Sequence, residues 1–368
     1  MFAFFALCLG WAAATAHARE PTAAERAAFV AWREQYVKTA IDNGHSLATV
    51  RRMLDPLAPD PRVLSRARPP IPPASAAMIA DGKRALAANR AALAQISARY
   101  GVEREVIVAV WGMQARYGKA PLEYDSLTVL ATLASASARR ENYENNIDAL
   151  IGLVEGGVLK AGRLASDSAG ALGQPRLMPE KFYENAVDGD RNGTADIWAS
   201  APDILASIAT FLVNSGWQAG QPIFIEAFGA PANAANSDPQ TLSAWGRLGV
   251  RAANGAPMAG ARRARLVFPD GPAGPAILAF ANFDVLRKVN DSSRYALTAA
   301  LLARGVAGGG ATLRPFAPQA AALATPPAAD TGGETEQAFV YIPAPKPRPG
   351  AQACVPATPL APARGDCR

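Results

Sequence analysis

The chain has 368 residues, half of them hydrophobic, which suffices for one or two substantial buried cores. Its 37 basic and 31 acidic residues leave a charge of +6, a mild excess that suits an acidic polymer or an anionic surface. No basic–aromatic interleaving or nucleic-acid motif accompanies that charge, so nucleic acid is excluded as a partner.

Residues 1–18 (MFAFFALCLGWAAATAHA) form an apolar run closed by Ala16-His17-Ala18. The pattern reads as a secretory signal cut after Ala18, which places the mature protein in the periplasm. An uncleaved anchor is the competing reading, but the run is short for a bilayer span, and no stable membrane anchor is expected after cleavage. Cys8 leaves with the signal, and His45 is then the one imidazole. That argues against a Ser-His-Asp triad, a Cys-His pair or a histidine-based zinc site.

The mature chain reads as mainly α. Residues 24–58 are predicted helical, with Phe29, Trp32, Tyr36 and Ile41 at helical spacing. After the proline-rich RPPIPP at 68–73 a helix is predicted over 80–99, another after Gly101, and an Ala/Leu-rich one over 126–138. Residues 163–180, punctuated by Gly and Pro, predict a cleft loop leading into a short helix, and 203–213 an amphipathic helix. RLVFPDG and GPAILAF, within 265–285, predict a hairpin, and 290–303 a closing helix. The domain so outlined covers 19–310, and 311–368, rich in Ala and Pro, reads as a disordered tail. Its two cysteines, Cys354 and Cys367, either close a small loop in an oxidising compartment or stay free.

The helix after Gly101 contains VIVAVWGMQARYG at 106–118. Glu103 and Glu105 place negative charge at its start, and Ile107, Val110, Trp111 and Gln114 share one face. A polar side chain at the end of an apolar stripe needs a partner or a cleft. On pattern alone Gln114 is either a core amide bonded to backbone or a cleft residue. Further along, Asp188, Asp190, Asn192, Thr194 and Asp196 offer oxygens at alternating positions around Gly193, which is the start of an EF-hand-like calcium loop or a plain Asx-rich turn.

The segment at 106–118 resembles the active-site helix of lytic murein transglycosylases of the membrane-bound B type: an apolar run, WGIE, Thr or Ser, a variable residue, then aromatic-Gly. The resemblance spans about residues 25–305 and keeps the family's order. FVAW (29–32), APDPRVL (58–64), YGVEREVIVAVWGM (100–113) and SLTVLATLA (126–134) come first. SAGALGQPRLMP (168–179), AVDGDRNGTADIW (186–198), SGWQAGQP (215–222) and NDSSRYAL (290–297) follow. It implies a lysozyme-like α+β transglycosylase fold with a small β hairpin. Peptidoglycan glycan strands are the implied ligand, with other cell-wall enzymes as possible partners.

In the family the Glu after WGI protonates the oxygen between N-acetylmuramic acid and N-acetylglucosamine. It then acts as base while the sugar's own 6-hydroxyl closes a 1,6-anhydro ring, so one carboxyl suffices, unlike in two-carboxylate glycosidases. Here that position is Gln114, and an amide cannot donate the proton. Losing a general acid costs ~10²–10⁴ in rate. Asp167 replaces a serine, Arg176 a glutamine, Glu180 and Lys181 two serines, and Phe211 and Val289 two tyrosines, whereas Gln174, Asn290 and Tyr295 are kept. The resemblance therefore implies Asp167, Gln174, Arg176, Phe211, Asn290 and Tyr295 as cleft residues. It implies Asp188, Asp190, Asn192, Thr194 and Asp203 as ligands for a weakly held calcium, because Ala199 stands where an EF-hand has its bidentate Glu.

Three functions stay open at this level: a peptidoglycan-binding protein that no longer cleaves, an active enzyme with a displaced acid such as Asp167, or a protein-interaction module of the cell-wall machinery.

Overall fold

The computed structural model describes residues 19–310 and residue 313, apart from short gaps at 66–70, 163, 231–233, 235–237, 254, 256, 270 and 272–274. The expected signal peptide, the tail and the Cys354–Cys367 pair lie outside the described residues. No helix among the described residues is long and apolar enough to cross a membrane.

In chain order the helices are α1 (Ala23–Asp42), α2 (Leu47–Leu54), α3 (Pro61–Leu64), α4 (Ala76–Ala88), α5 (Arg90–Tyr100), α6 (Arg104–Ala115), α7 (Ser126–Ala136) and α8 (Arg140–Glu155). They continue with α9 (Phe182–Asn185), α10 (Ala201–Asn214), α11 (Leu242–Arg247), α12 (Ala281–Asn290) and α13 (Ser293–Val306). The strands are β1 (Tyr124–Asp125), β2 (Ala165–Ser166), β3 (Phe224–Phe228), β4 (Gln240–Thr241), β5 (Arg251–Ala252), β6 (Arg263–Val267) and β7 (Ala276–Ala279). The chain divides into two compact units, one made of residues up to 68, 124–164 and 168–170, the other of 69–123, 165–167 and 171 onward.

The first unit is helical apart from β1. Phe29, Trp32 and Tyr36 are buried along one stripe of α1, with Trp32 stacked on Tyr36 at 5.5 Å. Both polar aromatic atoms are satisfied from α8: Trp32 Nε1 donates to Glu144 Oε1 (2.8 Å) and Tyr36 Oη to Asp148 Oδ1 (3.1 Å). Ile41 is exposed, and Ala40 completes the buried stripe in its place. The continuous helix expected over 24–58 does not form. Gly44 turns left-handed at φ 96°, and Ser46 starts α2 by accepting the Thr49 N–H (3.2 Å).

In the second unit the helix expected over 80–99 is also two. Asn89, whose side chain donates to Ala85 O (2.9 Å), separates α4 from α5. Helix α6 is apolar on every side from Val106 to Val110, and it is buried on every side. Helix α13 is buried along most of its length and begins at Ser293, not Asn290. Asn290 instead ends α12, and left-handed Asp291 (φ 40°) makes the joint between the two helices.

The expected hairpin exists as β6–β7, with Leu266 opposite Leu278. It is part of a larger element, a five-stranded antiparallel sheet of order β4-β6-β7-β3-β5. Alternate residues split between two cores. Phe224, Val267, Ile277 and Ala279 join the core containing α6 and α13, while Ile225, Ala227, Leu266 and Leu278 pack in a second core with the fully buried Trp245. A strand buried on both faces loses the apolar–polar alternation that marks strands in a sequence, so β3 was not legible.

Candidate active site

The Gln114 end of α6 is built by a chain reversal. Arg116, Tyr117 and Gly118 all take positive φ (48°, 57° and 85°), which stops the helix at Ala115. Two of these carry side chains, so the turn is held by contacts. Tyr117 Oη donates to Met78 O (2.9 Å), and its ring meets Trp111 edge-on at 5.9 Å.

The loop 173–177 lies against that helix end. Trp111 Nε1 donates to Gln174 Oε1 (2.7 Å), and Gln174 Nε2 donates to Trp198 O (2.7 Å). Gln174 thus acts as a brace, its amide engaged at both ends by the protein. Gly173 has φ 61°, and a Cβ there would come 2.7 Å from Ile197 O. Arg176, also left-handed at φ 59°, donates from Nε to Gln114 O (3.1 Å), one of the carbonyls that a helix C-terminus leaves without a helical partner. Asp167 Oδ2 stands 3.6 Å from Arg176 Nη1, while Asp167 Oδ1 accepts the Ala171 N–H (3.0 Å).

A pocket opens here, lined by Val110, Gln114, Pro175, Arg176, Leu177, Ile208, Phe211 and Val289. Its walls are mostly aliphatic and aromatic, and its polar side chains are one amide and one guanidinium. Of the residues singled out in the sequence, Gln114, Arg176 and Phe211 therefore line one cavity. Asp167 and Gln174 support the loop behind it, and Asn290 is half-buried beside the Val289 wall. Tyr295 lies elsewhere: it is 2% exposed in the helical core, and burial raises its phenol above the usual range.

The acidic loop forms a second cluster. Ligand oxygens of Asp188, Asp190 and Asp203 lie within 4.8 Å of one another. Backbone N–H groups hold them: Asp188 accepts from Asn192 (3.0 Å) and Gly193 (2.7 Å), and the buried Asp203 accepts from Gly189 (2.8 Å), Asp190 (3.2 Å) and Asp196 (2.7 Å). Asn192 Oδ1 accepts the Thr194 N–H (3.0 Å), so both residues belong to the same turn. Desolvation opposes the Asp188 charge, but the N–H groups of Gly193, Asn192 and Arg191 outweigh it and keep the carboxyl below its ordinary range.

One group escaped the sequence reading. Glu103, at the start of α6, is 6% exposed, not a solvated first-turn carboxylate. Burial pushes its carboxyl up to about 7, against the opposing pull of backbone N–H groups at Glu103 and Gly220. Its burial depends on a segment more than a hundred residues away, which local pattern does not report.

The transglycosylase SLT domain family matches residues 28–304. SltB3 from Pseudomonas aeruginosa, solved in complex with NAG-anhNAM-pentapeptide and with NAG-NAM-pentapeptide, is 32% identical, with a TM-score of 0.70 over 79% of this chain and 82% of that one. The Escherichia coli lytic transglycosylase Slt35 in complex with calcium shares the fold, at 21% identity and a TM-score of 0.65 over 75% of this chain and 92% of that one. Membrane-bound lytic murein transglycosylase B of Escherichia coli K12 is 25% identical over 210 residues, which are 56% of this chain and 58% of that protein. The chain thus aligns with under two thirds of that curated relative's length. Domain match, shared fold and identity to SltB3 agree that the protein belongs to the SLT-type lytic murein transglycosylase family.

Proposed function

We propose that the protein is a periplasmic peptidoglycan-binding member of this family whose lytic chemistry is impaired. The observation that carries the reading is the pocket at the end of α6. The position equivalent to the family's acid/base is Gln114, and among the described residues no carboxyl lines the cavity around it. An amide donates and accepts hydrogen bonds but supplies no proton to a leaving oxygen. Asp167, the candidate for a displaced acid, has one oxygen on the Ala171 N–H and the other beside Arg176. That favours a loop-supporting role over catalysis. SltB3 is known with peptidoglycan fragments bound, which supports glycan strands as the ligand of this pocket as well.

The acidic loop fits a calcium ion. Its donors are all oxygens, three of them carboxylates brought together against their mutual repulsion, which suits a hard cation. Asp188, Asp190 and Asp203 would hold the ion, with Asn192 and Thr194 contributing from the same turn. Its role would be to brace the loop behind the pocket.

Purified protein mixed with sacculi at low salt should co-sediment with them. Protein that stays wholly in the supernatant would leave the interaction-module reading in its place.

A further inference from the structure

Gln114 is not the only thing that sets the chemistry of its pocket. Among the described residues lining it, contributed by α6, the 173–177 loop, α10 and α12, Arg176 is the one titratable side chain. It is also fixed. The side chain is 11% exposed, its Nε–H is bonded at 3.1 Å to the backbone carbonyl of residue 114 itself, and its own backbone is held left-handed. Asp167 faces it from behind at 3.6 Å, an ion-pair distance longer than a charge-assisted hydrogen bond.

Three effects compete on a carboxyl placed at 114. The apolar walls of Val110, Phe211 and Val289 disfavour its charged form, and so does the negative end of the α6 dipole. A fixed guanidinium favours the charged form, lowering a carboxyl by roughly one to three pKa units at close range. Because Arg176 sits on the very carbonyl that exposes the dipole, it offsets that contribution as well as adding its own. Asp167, 3.6 Å from Arg176 Nη1, offsets part of this charge, but the guanidinium bonded to the 114 carbonyl is the nearer group, and its net effect on a carboxyl at 114 is to favour the ionised form.

We infer that Arg176 is a second determinant of what position 114 can do: its guanidinium keeps any acid at 114 ionised, so reverting Gln114 alone produces no proton donor. The inference rests on 114 being the acid/base position of the family. It makes Arg176 a positioning and electrostatic residue, coupled to Gln114 through the backbone of α6.

The test is a titration of the introduced carboxyl, followed by ¹³C NMR, in Gln114→Glu and in the same variant combined with Arg176→Gln or Arg176→Lys. In the single variant this carboxyl should titrate below the ordinary ~4.3 of a glutamate. Arg176→Gln, which keeps a donor for the 114 carbonyl but removes the charge, should raise it by at least about one unit. Arg176→Lys should leave it low, since a merely structural loss would disturb both alike. Release of anhydro-muropeptides from sacculi should rise by ~10² or more only in the Arg176→Gln background. A single variant whose introduced carboxyl titrates at the ordinary ~4.3 or above, or which cleaves sacculi well, overturns the inference. If the double variants fold poorly, the single-variant titration decides alone. Failure to co-sediment with sacculi would sink the glycan-binding reading and leave the titration result standing.

Discussion

The Gln114 pocket and the Asp188–Asp203 loop belong to one compact unit and offer opposite chemistry, one a cluster of carboxylates and the other a cavity without any. In the loop three carboxylates, Asp188, Asp190 and Asp203, lie within 4.8 Å of one another, each held by backbone N–H groups. In the pocket the frame is assembled but the chemistry differs. Trp111, Gln174 and Trp198 form an unbroken brace, while the polar side chains of the pocket are one amide, Gln114, and one guanidinium, Arg176, bonded to the 114 carbonyl. A frame kept without its reactive group is what a binding role requires. Holding a glycan depends on the shape of the cleft, whereas cleaving one depends on a proton at a single atom.

The sharpest way to break that contrast is a turnover assay. Wild-type protein incubated with sacculi should release anhydro-muropeptides at least ~10²-fold more slowly than an active relative, the usual consequence of a missing general acid. Release at a comparable rate, lost on Asp167→Asn and kept on Gln114→Ala, would mean the pocket is a working site with a displaced acid.

The frame itself is tested at Gly173. Its φ of 61° and the 2.7 Å approach of a would-be Cβ to Ile197 O leave no room for a side chain, and that obstructing oxygen is backbone, beside the Ile197 side chain. Gly173→Val should destabilise the fold by roughly 4 kcal/mol, adding left-handed strain to overpacking. Chemical denaturation measures this. A loss under about 1 kcal/mol would show that the loop 173–177 relaxes freely and that its brace is not what fixes the pocket.

How much of this was legible in the sequence varies by the range of the interaction. Helix α6 was legible from one stripe, Ile107, Val110, Trp111 and Gln114 at helical spacing, but its burial on every side was not. The break at Asn89 was missed because a polar residue within an Ala-rich run does not by itself stop a helix. Arg176 was recognisable as a substitution. Its partner, the carbonyl of a residue 62 positions earlier, was not, because backbone acceptors leave no mark in sequence. Gln174 read as a sugar contact because a kept polar residue near a cleft suggests one, yet both ends of its amide are bonded to the protein. Tyr295 shows a related limit: a tyrosine in a kept motif can be there for its ring, and here it is buried in the core.

Glu103 extends the comparison to the other end of α6. The folded-state carboxyl lies at about 7 and the ordinary value is 4.5, so between these the unfolded chain releases a proton that the native state retains. Stability from this group is therefore full below about 4.5, falls as pH rises toward 7, and is level above it. The fall amounts to about 3 kcal/mol. Glu103→Gln, which mimics the neutral form, should match wild type in melts at pH 5 and exceed it at pH 8. Equal melting temperatures at both pH values would mean that water or a cation reaches the carboxyl and removes its desolvation.

Calcium gives the smallest expected effect and bears on the other half of the contrast. An ion that binds the native state alone stabilises it by RT ln(1 + [L]/Kd), about 1.4 kcal/mol at ten times the Kd, so the melting temperature should climb with concentration by a few degrees. The absence of a bidentate Glu, with Ala199 in its place, and the presence of Arg191 inside the loop set that rise in the millimolar range. Asp190→Asn removes an exposed carboxylate from the cluster while leaving the buried Asp203 and its three N–H partners in place. It should abolish the calcium response without lowering stability in chelator. Magnesium, which demands a tighter octahedral shell, should shift the wild type less at the same concentration. A melting temperature flat across millimolar calcium would reduce the loop to an Asx-turn network sustained by its own N–H donors. The contrast would then disappear, because loop and pocket alike would be frames without the reactive or bound group that the family resemblance implies.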